Sequence, residues 1–370
     1  MKNIWYILLL LVPIISNCQT NYYLVIGTYT KNSTSEGLYV YKMNTETGEV
    51  NAVSKATAAN PSYLDISPDE KFVYAVNEDA NDKGSVSVFS FDKNSGALNY
   101  IEKQNSGGDH PCYIAVNKTG KWVAVANYTG GSISTLPIMA NGTLGVATTI
   151  QHTGSSVDKE RQEKPHVHST VFSPDDKYIF VPDLGIDKVM IYSFNAGSGK
   201  PEPATAPFAA TPPGSGPRHF TFHPNGKLAY LIEEMGGAVS AYKYKDGKLT
   251  LFQHISTYPA NFTGKKSSAD IHVSPDGKFL YASNRVPVNN IAIFSIDKNG
   301  KLTTKGYEST KGKVPRNFTI DPTGNFLLVA NQESDSIVIF KRNKQTGLLT
   351  DTGNRIKVGK PVCLKWVGIK

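Results

Sequence analysis

The sequence predicts an all-β fold, a seven-bladed β-propeller with four antiparallel strands in each blade. Three observations lead to this prediction. One segment recurs along the chain, and its copies align without gaps. The copies lie about 50 residues apart, a spacing typical of propeller blades. Within each copy apolar and polar residues alternate with a period of two, and no segment beyond the N-terminus has a helical period.

The recurring segment is a hairpin that supplies the first two strands of a blade. In "PRHFTFHPNGKLAYLIEE", residues 217–234, apolar residues alternate on both sides of a Pro-Asn-Gly turn. A third strand, such as "SVSVFSF" or "NIAIFSI", and a more polar fourth strand follow each hairpin. The six complete copies begin at Pro61, Pro111, Val167, Pro217, Ser268 and Pro315.

The seventh copy is split between the two ends of the chain. The C-terminal stretch "PVCLKWVG" reads as a first strand only. Near the N-terminus, "YYLVIGTYT", "GLYVYKM" and "VNAVSKAT" read as a second, third and fourth strand. We therefore expect the ring to close with N- and C-terminal strands in one shared blade, which removes the free edges of an open sheet.

The N-terminus carries a targeting segment. Residues 1–17 contain a short apolar stretch after a basic residue, which is typical of a signal peptide. The stretch ends in "IISNC", which resembles the lipobox of bacterial lipoproteins, although Asn17 departs from the usual small residue. The prediction is an exported lipoprotein on the periplasmic or cell-surface side, with Cys18 as its lipidated new N-terminus. Residues 18–370 then form a single propeller domain, with no contact to the membrane except the lipid anchor.

Composition and charge limit the kinds of molecule that this protein is expected to bind. The formal net charge is +8, but the lysines are scattered through turns and form no basic stripe. This pattern argues against nucleic acid and is compatible with a small anionic ligand. Cys112 and Cys363 lie on non-adjacent copies, so we predict two free, buried thiols. Nothing in the sequence demands an oligomer, and we expect a monomer.

Several kinds of catalytic site are absent from the sequence. It contains no Gly-x-Ser-x-Gly turn, no phosphate-binding glycine loop and no His-Glu-x-x-His motif. His166 and His168 would share one face of a strand, but no third or fourth metal ligand accompanies them. We therefore predict no cofactor and no metal.

The start of a first strand and the end of a second strand meet at one mouth of the channel. One position there is nearly uniform among the copies, and we predict a structural, turn-capping role for it. Its members are Asn77, Asn127, Asp183, Glu233, Asn284 and Asn331. The neighbouring positions vary, as an asymmetric ligand requires. They supply the candidate catalytic residues His168, Arg218, Glu234 and Arg285, and the candidate substrate-binding residues His219, Asp270, His272, Arg316 and Gln332.

These positions predict specific neighbours. Arg218 should lie with Glu234, Arg285 beside Asp270, and Arg316 with Gln332. Arginines that converge on one mouth of the channel repel one another unless carboxylates or an anionic ligand neutralise their charge. An ion-pair network that merely plugs the channel remains an alternative. For His168 and His272, a structural role within the protein also remains open.

At these residues the sequence resembles the seven-bladed lactonase family, which includes the propeller-type 6-phosphogluconolactonase and the fungal 3-carboxy-cis,cis-muconate lactonizing enzyme. The matching stretches are "HSTVFSPDDKYIFVPDLGIDKV", "GSGPRHFTFHPNGKLAY", "NFTGKKSSADIHVSPDGKFLYASNR" and "VPRNFTIDPTGNFLLVANQ". The resemblance implies that His168, Arg218, Glu234 and Arg285 form the site. Glu233 departs from the family's usual Asn.

The resemblance implies hydrolysis of a sugar-type lactone, as by a 6-phosphogluconolactonase. Such a reaction needs an activated water, an oxyanion donor and a grip on an anionic group. We expect Glu234 or His168 to act as base or acid, Arg218 as donor, and Arg285 with Arg316 as the grip. For an exported protein the substrate could be another sugar lactone. The alternatives are a muconate-type lactonizing cyclase and a non-catalytic propeller that binds a carbohydrate or an anionic partner.

Overall fold

The computed structural model describes residues 20–80 and 84–369. The predicted signal peptide, residues 1–17, and Cys18 lie outside the described residues. Within them, seven antiparallel four-stranded sheets form the seven blades, as predicted. The helical elements described are two 3-10 turns, Leu184–Ile186 and Gln332–Ser334. No helix in this part of the chain is long and apolar enough to span a membrane.

The structure contains 28 described strands. In chain order they are β1 (Asn21–Thr28), β2 (Gly37–Asn44), β3 (Val50–Thr57), β4 (Leu64–Ile66), β5 (Phe72–Asn77), β6 (Ser85–Asp92), β7 (Ala97–Asn105), β8 (Pro111–Val116), β9 (Trp122–Asn127), β10 (Ser132–Pro137), β11 (Thr148–Gln151), β12 (Val171–Phe172), β13 (Tyr178–Asp183), β14 (Lys188–Phe194), β15 (Pro201–Ala210), β16 (Pro217–Phe222), β17 (Leu228–Glu233), β18 (Ala238–Lys245), β19 (Lys248–Ser256), β20 (Ser268–Val273), β21 (Phe279–Asn284), β22 (Asn290–Ile296), β23 (Leu302–Ser309), β24 (Pro315–Ile320), β25 (Phe326–Asn331), β26 (Ser336–Arg342), β27 (Leu349–Lys357) and β28 (Pro361–Gly368).

In blades 2 to 7 the strands are arranged in sequence order from the channel outward. Blade 1 is β28-β1-β2-β3, so the C-terminal strand closes the ring against β1, as predicted. Blades 2 to 7 follow as β4 to β7, β8 to β11, β12 to β15, β16 to β19, β20 to β23 and β24 to β27. Rings from different inner strands meet in the channel, for example Tyr63 stacked on Tyr113 with centroids 4.0 Å apart.

The hydrophobic core lies between neighbouring blades, where the apolar faces of two sheets pack together. Phe180 of blade 4 stacks on Phe220 of blade 5, with ring centroids 5.2 Å apart. The hairpin that joins the third and fourth strands of blade 4 packs against blade 3 at Gly199, which has φ +66°. A Cβ atom at this position would lie only 2.0 Å from the Trp122 ring. A larger residue at this turn would therefore separate two blades. Cys112 and Cys363 are buried and free, as predicted.

The nearly uniform position at the end of the second strand has the predicted structural role. The side-chain amides of Asn77, Asn284 and Asn331 donate to carbonyl oxygens of the connection that precedes each blade, at 2.7–3.0 Å. In blade 5 the carboxylate of Glu233 instead accepts from Ser240 at 2.7 Å, and it lies 2.9 Å from Nε2 of His254. These bonds fix the ends of the strands that carry the mouth residues.

Candidate active site

The two ends of the blade 5 hairpin bring Arg218 and Glu234 into contact. Pro217 pairs with Glu233 in the sheet, and a β-bulge follows between Pro217 and His219. The extra residue in the bulge is Arg218, whose Nε lies 2.8 Å from Oε2 of Glu234. Both side chains are almost fully buried, with 1% and 7% exposed. The hairpin therefore presents a buried ion pair at the mouth where the inner strands begin, which we call the upper mouth.

Glu234 is the centre of a cationic cluster, defined as Glu234, Arg218, Arg285, Arg161 and His168. Arg285 Nη2 lies 3.1 Å from Oε2, and Arg161 Nη2 lies 2.8 Å from Oε1. His168 Nε2 lies 4.0 Å from Oε2. Burial alone would raise the pKa of Glu234, but Arg285, Arg218, His168 and Arg161 together hold it well below its usual value. Glu234 is therefore ionised at neutral pH.

The cluster carries more positive charge than one carboxylate can balance. Burial, with Arg316 and Arg285 nearby, lowers the pKa of Arg218 to about 10, so this guanidinium still remains charged at neutral pH. Arg285 is 14% exposed, and its Nε is buried without a hydrogen-bond partner. A buried unpaired donor is costly unless a ligand satisfies it. The cluster is therefore suited to an anionic or oxyanionic group.

His168 is the uncharged member of the cluster. Burial lowers its pKa well below the usual value, and Arg218 and His219 lower it further. Its Nδ1 lies 3.8 Å from the Cys112 sulfur. With the carboxylate of Glu234 also at 4.0 Å, the ring nitrogens make only long contacts. This imidazole is therefore neutral, and neither ring nitrogen is committed to a short hydrogen bond.

A second buried carboxylate, Asp270, lies deeper in the channel. Five donors surround it at 2.5–3.2 Å. They are His219 Nδ1, Ile271 N, His272 Nε2, Asn317 Nδ2 and Phe318 N. Although burial raises the pKa of Asp270, His272 and His219 bring it well below its usual value. The protein itself thus satisfies this carboxylate.

His219 links the two carboxylates. Its Nδ1 lies 2.7 Å from Asp270 Oδ1, and its Nε2 lies 3.2 Å from Nη1 of Arg218. Since the guanidinium can only donate, Nε2 accepts and Nδ1 carries the proton. Burial and the charge of Arg218 lower the pKa of His219 to about 4, so the ring is neutral. His219 therefore fixes the orientation of Arg218 through a hydrogen bond on the side that faces Asp270.

Arg316 lies on the opposite side of the upper mouth. Its guanidinium sits 5.4 Å from the centre of the Tyr29 ring, and Tyr29 donates to Glu78 at 2.8 Å. Burial would lower the pKa of Arg316, but Tyr29 and Glu78 raise it above its usual value. Among the described residues no carboxylate lies within ion-pair distance of it. Tyr29, Glu78 and Gln332 line a cavity of about 710 Å³ here.

A further cavity of about 480 Å³ opens at the lower mouth, the end of the channel beside the hairpin turns. His223 and Pro224 of the blade 5 turn line it, together with His272 and Lys365. Lys365 is paired with Asp65 at 3.1 Å. Asp176 lines the cavity as well, and its Oδ1 is buried without a hydrogen-bond partner.

The structure brings together the four residues predicted as catalytic and separates the rest. Two predicted pairings were wrong. Arg285 contacts Glu234 rather than Asp270, because Asp270 occupies the position that His219 has in blade 5, one residue deeper in the channel. Gln332 donates to Glu333 at 2.8 Å, and Arg316 faces Tyr29 instead.

The remaining predicted residues lie below the cluster. His219 and Asp270 lie in the middle of the channel, and His272 reaches the lower mouth, where its ring packs edge-on against Phe318. His166 does not act with His168 as a chelate, because its nitrogens contact Glu163 and the Tyr128 carbonyl. Among the described residues no group of three or more His, Cys, Asp or Glu is placed to hold a metal.

The sequence comparison missed Arg161, Tyr29 and Glu78 as members of the site. Arg161 lies in the long connection between β11 and β12, outside the recurring segment. The only signal for it was the greater spacing between the copies at Pro111 and Val167. Tyr29 follows β1 as Glu78 follows β5 and Glu234 follows β17, so extending the alignment to the split blade would have found it.

Comparisons with known proteins agree with this fold. The profile described as "Lactonase, 7-bladed beta-propeller" matches residues 23–366. The 6-phosphogluconolactonase of Formosa agariphila is 42% identical, covering 88% of this chain and 93% of its own. The 6-phosphogluconolactonase of Bacillus subtilis is 36% identical, covering 94% and 99%. The solved structure of the periplasmic gluconolactonase of Pseudomonas aeruginosa superimposes with a TM-score of 0.90 at 37% identity, covering 95% of this chain and all of that one (100%). The chain belongs to the seven-bladed β-propeller lactonase family.

Proposed function

We propose that this protein hydrolyses a sugar-type lactone at the upper mouth, in the manner of a 6-phosphogluconolactonase. The observation that carries the proposal is the Glu234 cluster, in which a single carboxylate holds three guanidinium groups beside a neutral imidazole. The names of the relatives support the same reaction class. No metal or cofactor enters the proposed mechanism.

His168 is the better candidate for the base. Glu234 is paired with three guanidinium groups, which occupy both of its carboxylate oxygens. His168 is neutral and has only long contacts at both ring nitrogens. It takes a proton from water as the oxygen attacks the lactone carbonyl, and Glu234 stabilises the imidazolium that forms. When the ring C–O bond breaks, the imidazolium returns that proton to the leaving alkoxide.

Arg285 is the better candidate for the oxyanion donor. Arg218 is only 1% exposed and already donates to Glu234, to the Ala269 carbonyl and to His219. Arg285 is more exposed and has an unpaired Nε. We assign stabilisation of the carbonyl oxygen in the tetrahedral intermediate to Arg285, and the positioning of Glu234 to Arg218. In the same scheme His219 and Asp270 act as positioning residues.

Arg316 and the cavity beside it would hold the end of the substrate that does not react. The guanidinium rests on the Tyr29 ring and has no carboxylate within ion-pair distance in the described chain. A phosphate or carboxylate matches such a group in charge and geometry. Lys31 and Lys360 line the same cavity and add positive charge, and the carboxylates of Glu78 and Asp79 line it as well.

We also propose that the protein is exported and held to a membrane by a lipid on Cys18, as a monomer. The N-terminal sequence pattern supports export. The periplasmic location named for the P. aeruginosa relative supports it as well. On that side of the membrane an unphosphorylated sugar lactone is the more accessible substrate.

The test is lactone hydrolysis followed in a pH-stat, with a protein-free blank subtracted because these lactones open spontaneously. The panel contains 6-phosphogluconolactone, gluconolactone and a carboxylated muconolactone. We expect turnover well above the blank on at least one sugar lactone. Turnover of the muconolactone alone would favour the cyclase. No excess on any lactone would refute the proposal and favour the binding module.

A further inference from the structure

We propose that Arg161, supplied by the connection between blades 3 and 4, is a catalytic residue of the same site and donates to the oxyanion together with Arg285. This inference rests on the proposed lactone hydrolysis. It assigns a function to a segment that lies outside the repeated blades.

The connection is the longest of those that join one blade to the next, running from Gln151 to Val171. Its turn is tightly held. Asp158 Oδ1 accepts from the backbone N–H groups of Glu160 and Arg161, at 3.0 Å each. Gln162 is fully buried and donates to the Leu184 carbonyl at 2.8 Å. The backbone on both sides of Arg161 is therefore fixed before any substrate binds.

The side chain of Arg161 reaches from this turn into the Glu234 cluster. Its Nη2 lies 2.8 Å from Glu234 Oε1 and 3.4 Å from the Tyr128 hydroxyl. It approaches the carboxylate oxygen that Arg218 and Arg285 leave free. Burial would lower the pKa of Arg161, but Glu234 raises it above its usual value. Arg161 is charged throughout the pH range of the reaction.

Accessibility separates Arg161 from the other two arginines. Its side chain is 39% exposed, against 14% for Arg285 and 1% for Arg218. It is thus the guanidinium that an entering molecule meets first. Three guanidinium charges on one carboxylate leave an excess of positive charge, and developing negative charge on a lactone oxygen would relieve it. The exposed N–H groups of Arg161 can turn to that oxygen while the backbone stays in place.

The experiment compares the wild type, Arg161→Ala, Arg161→Lys and Lys159→Gln on the lactone that the wild type turns over fastest. Lys159 is an exposed cation of the same connection that makes no contact with Glu234, so it controls for general charge. We expect Arg161→Ala to lower kcat by about 100-fold. Millimolar guanidinium should restore part of that loss, which a purely structural role would not allow. Arg161→Lys should lie between the two.

A second readout is the pH profile. Removing Arg161 takes away one cation that lowers the pKa of Glu234, so any acid limb governed by this carboxylate should move to higher pH. An unchanged kcat in a folded Arg161→Ala variant, or a loss that guanidinium does not rescue and that Lys159→Gln shares, would overturn the inference. A wild type without activity on any lactone would refute the proposed hydrolysis instead, so the two failures are distinguishable.

Discussion

The two buried carboxylates of the channel, Glu234 and Asp270, have opposite surroundings. Glu234 faces three guanidinium groups and a loosely held imidazole, which leaves positive charge and an unpaired Arg285 donor. Asp270 accepts from five neighbours of the protein itself. A saturated carboxylate stabilises structure, while an unbalanced cluster is an incomplete site that a substrate completes. We therefore assign Glu234 to the reacting site and Asp270 to the positioning of its neighbours.

The largest difference should follow from making each carboxylate neutral. Glu234→Gln leaves the guanidinium groups unpaired, and we expect kcat to fall at least 100-fold with a stability loss of about 3 kcal/mol. Asp270→Asn leaves one acceptor oxygen, so it can keep only one of the backbone donors Ile271 N and Phe318 N, which bond to different oxygens. We expect a loss of about 2 kcal/mol with kcat reduced less than 10-fold. Urea unfolding and initial rates measure both effects. An equal loss of kcat in the two variants would remove the distinction.

The pH dependence of stability provides a second comparison. The folded pKa of His219 is lowered to about 4, against 6.5 for the exposed group. Between these values the unfolded chain binds a proton that the folded protein does not, so stability decreases as the pH falls from 6.5 towards 4. We expect a His219→Gln variant to show a shallower decrease over this interval. Urea midpoints at half-unit pH steps measure it, and identical slopes would contradict the assignment.

The smallest effect should be one of substrate preference. Arg316→Gln removes the guanidinium that rests on Tyr29, and we expect KM for a phosphorylated or carboxylated lactone to rise about 10-fold, with kcat little changed. KM for uncharged gluconolactone should stay the same. Lys313→Gln, an exposed cation of the connection before β24, serves as the control for general attraction. An equal rise on both lactones would show that Arg316 does not select an anion.

The repeat made the fold predictable, because each copy carries both strands and the turn that joins them. The same alignment placed Arg218 with Glu234, since hairpin ends meet whatever the surroundings. It misplaced Asp270, because Asp270 lies at the position of His219, one residue deeper in the channel than the position of Arg218, and so does not reach Arg285. The same bulge recurs in blades 3, 5, 6 and 7, but the side-chain contacts of the deeper residue depend on residues from other blades, such as Asn317 and His219.

Arg161 was missed for a different reason. A comparison of repeats finds functional residues only at positions that every copy shares, and the connection between β11 and β12 has no counterpart of equal length. Its contact with Glu234 joins residues 73 positions apart in the chain. Only the folded ring brings that turn over the upper mouth.

The most direct test of the account is whether the chemistry occurs at the upper mouth or at the lower one. His168 belongs to the Glu234 cluster, while His223 lines the cavity at the other end and bonds to the Gly277 carbonyl. Lactone hydrolysis by His168→Asn and His223→Asn, measured beside the wild type, separates the two. We predict that His168→Asn lowers kcat by at least 100-fold and that His223→Asn stays within about 3-fold of the wild type. A loss confined to His223→Asn, or a fully active His168→Asn, would contradict the account.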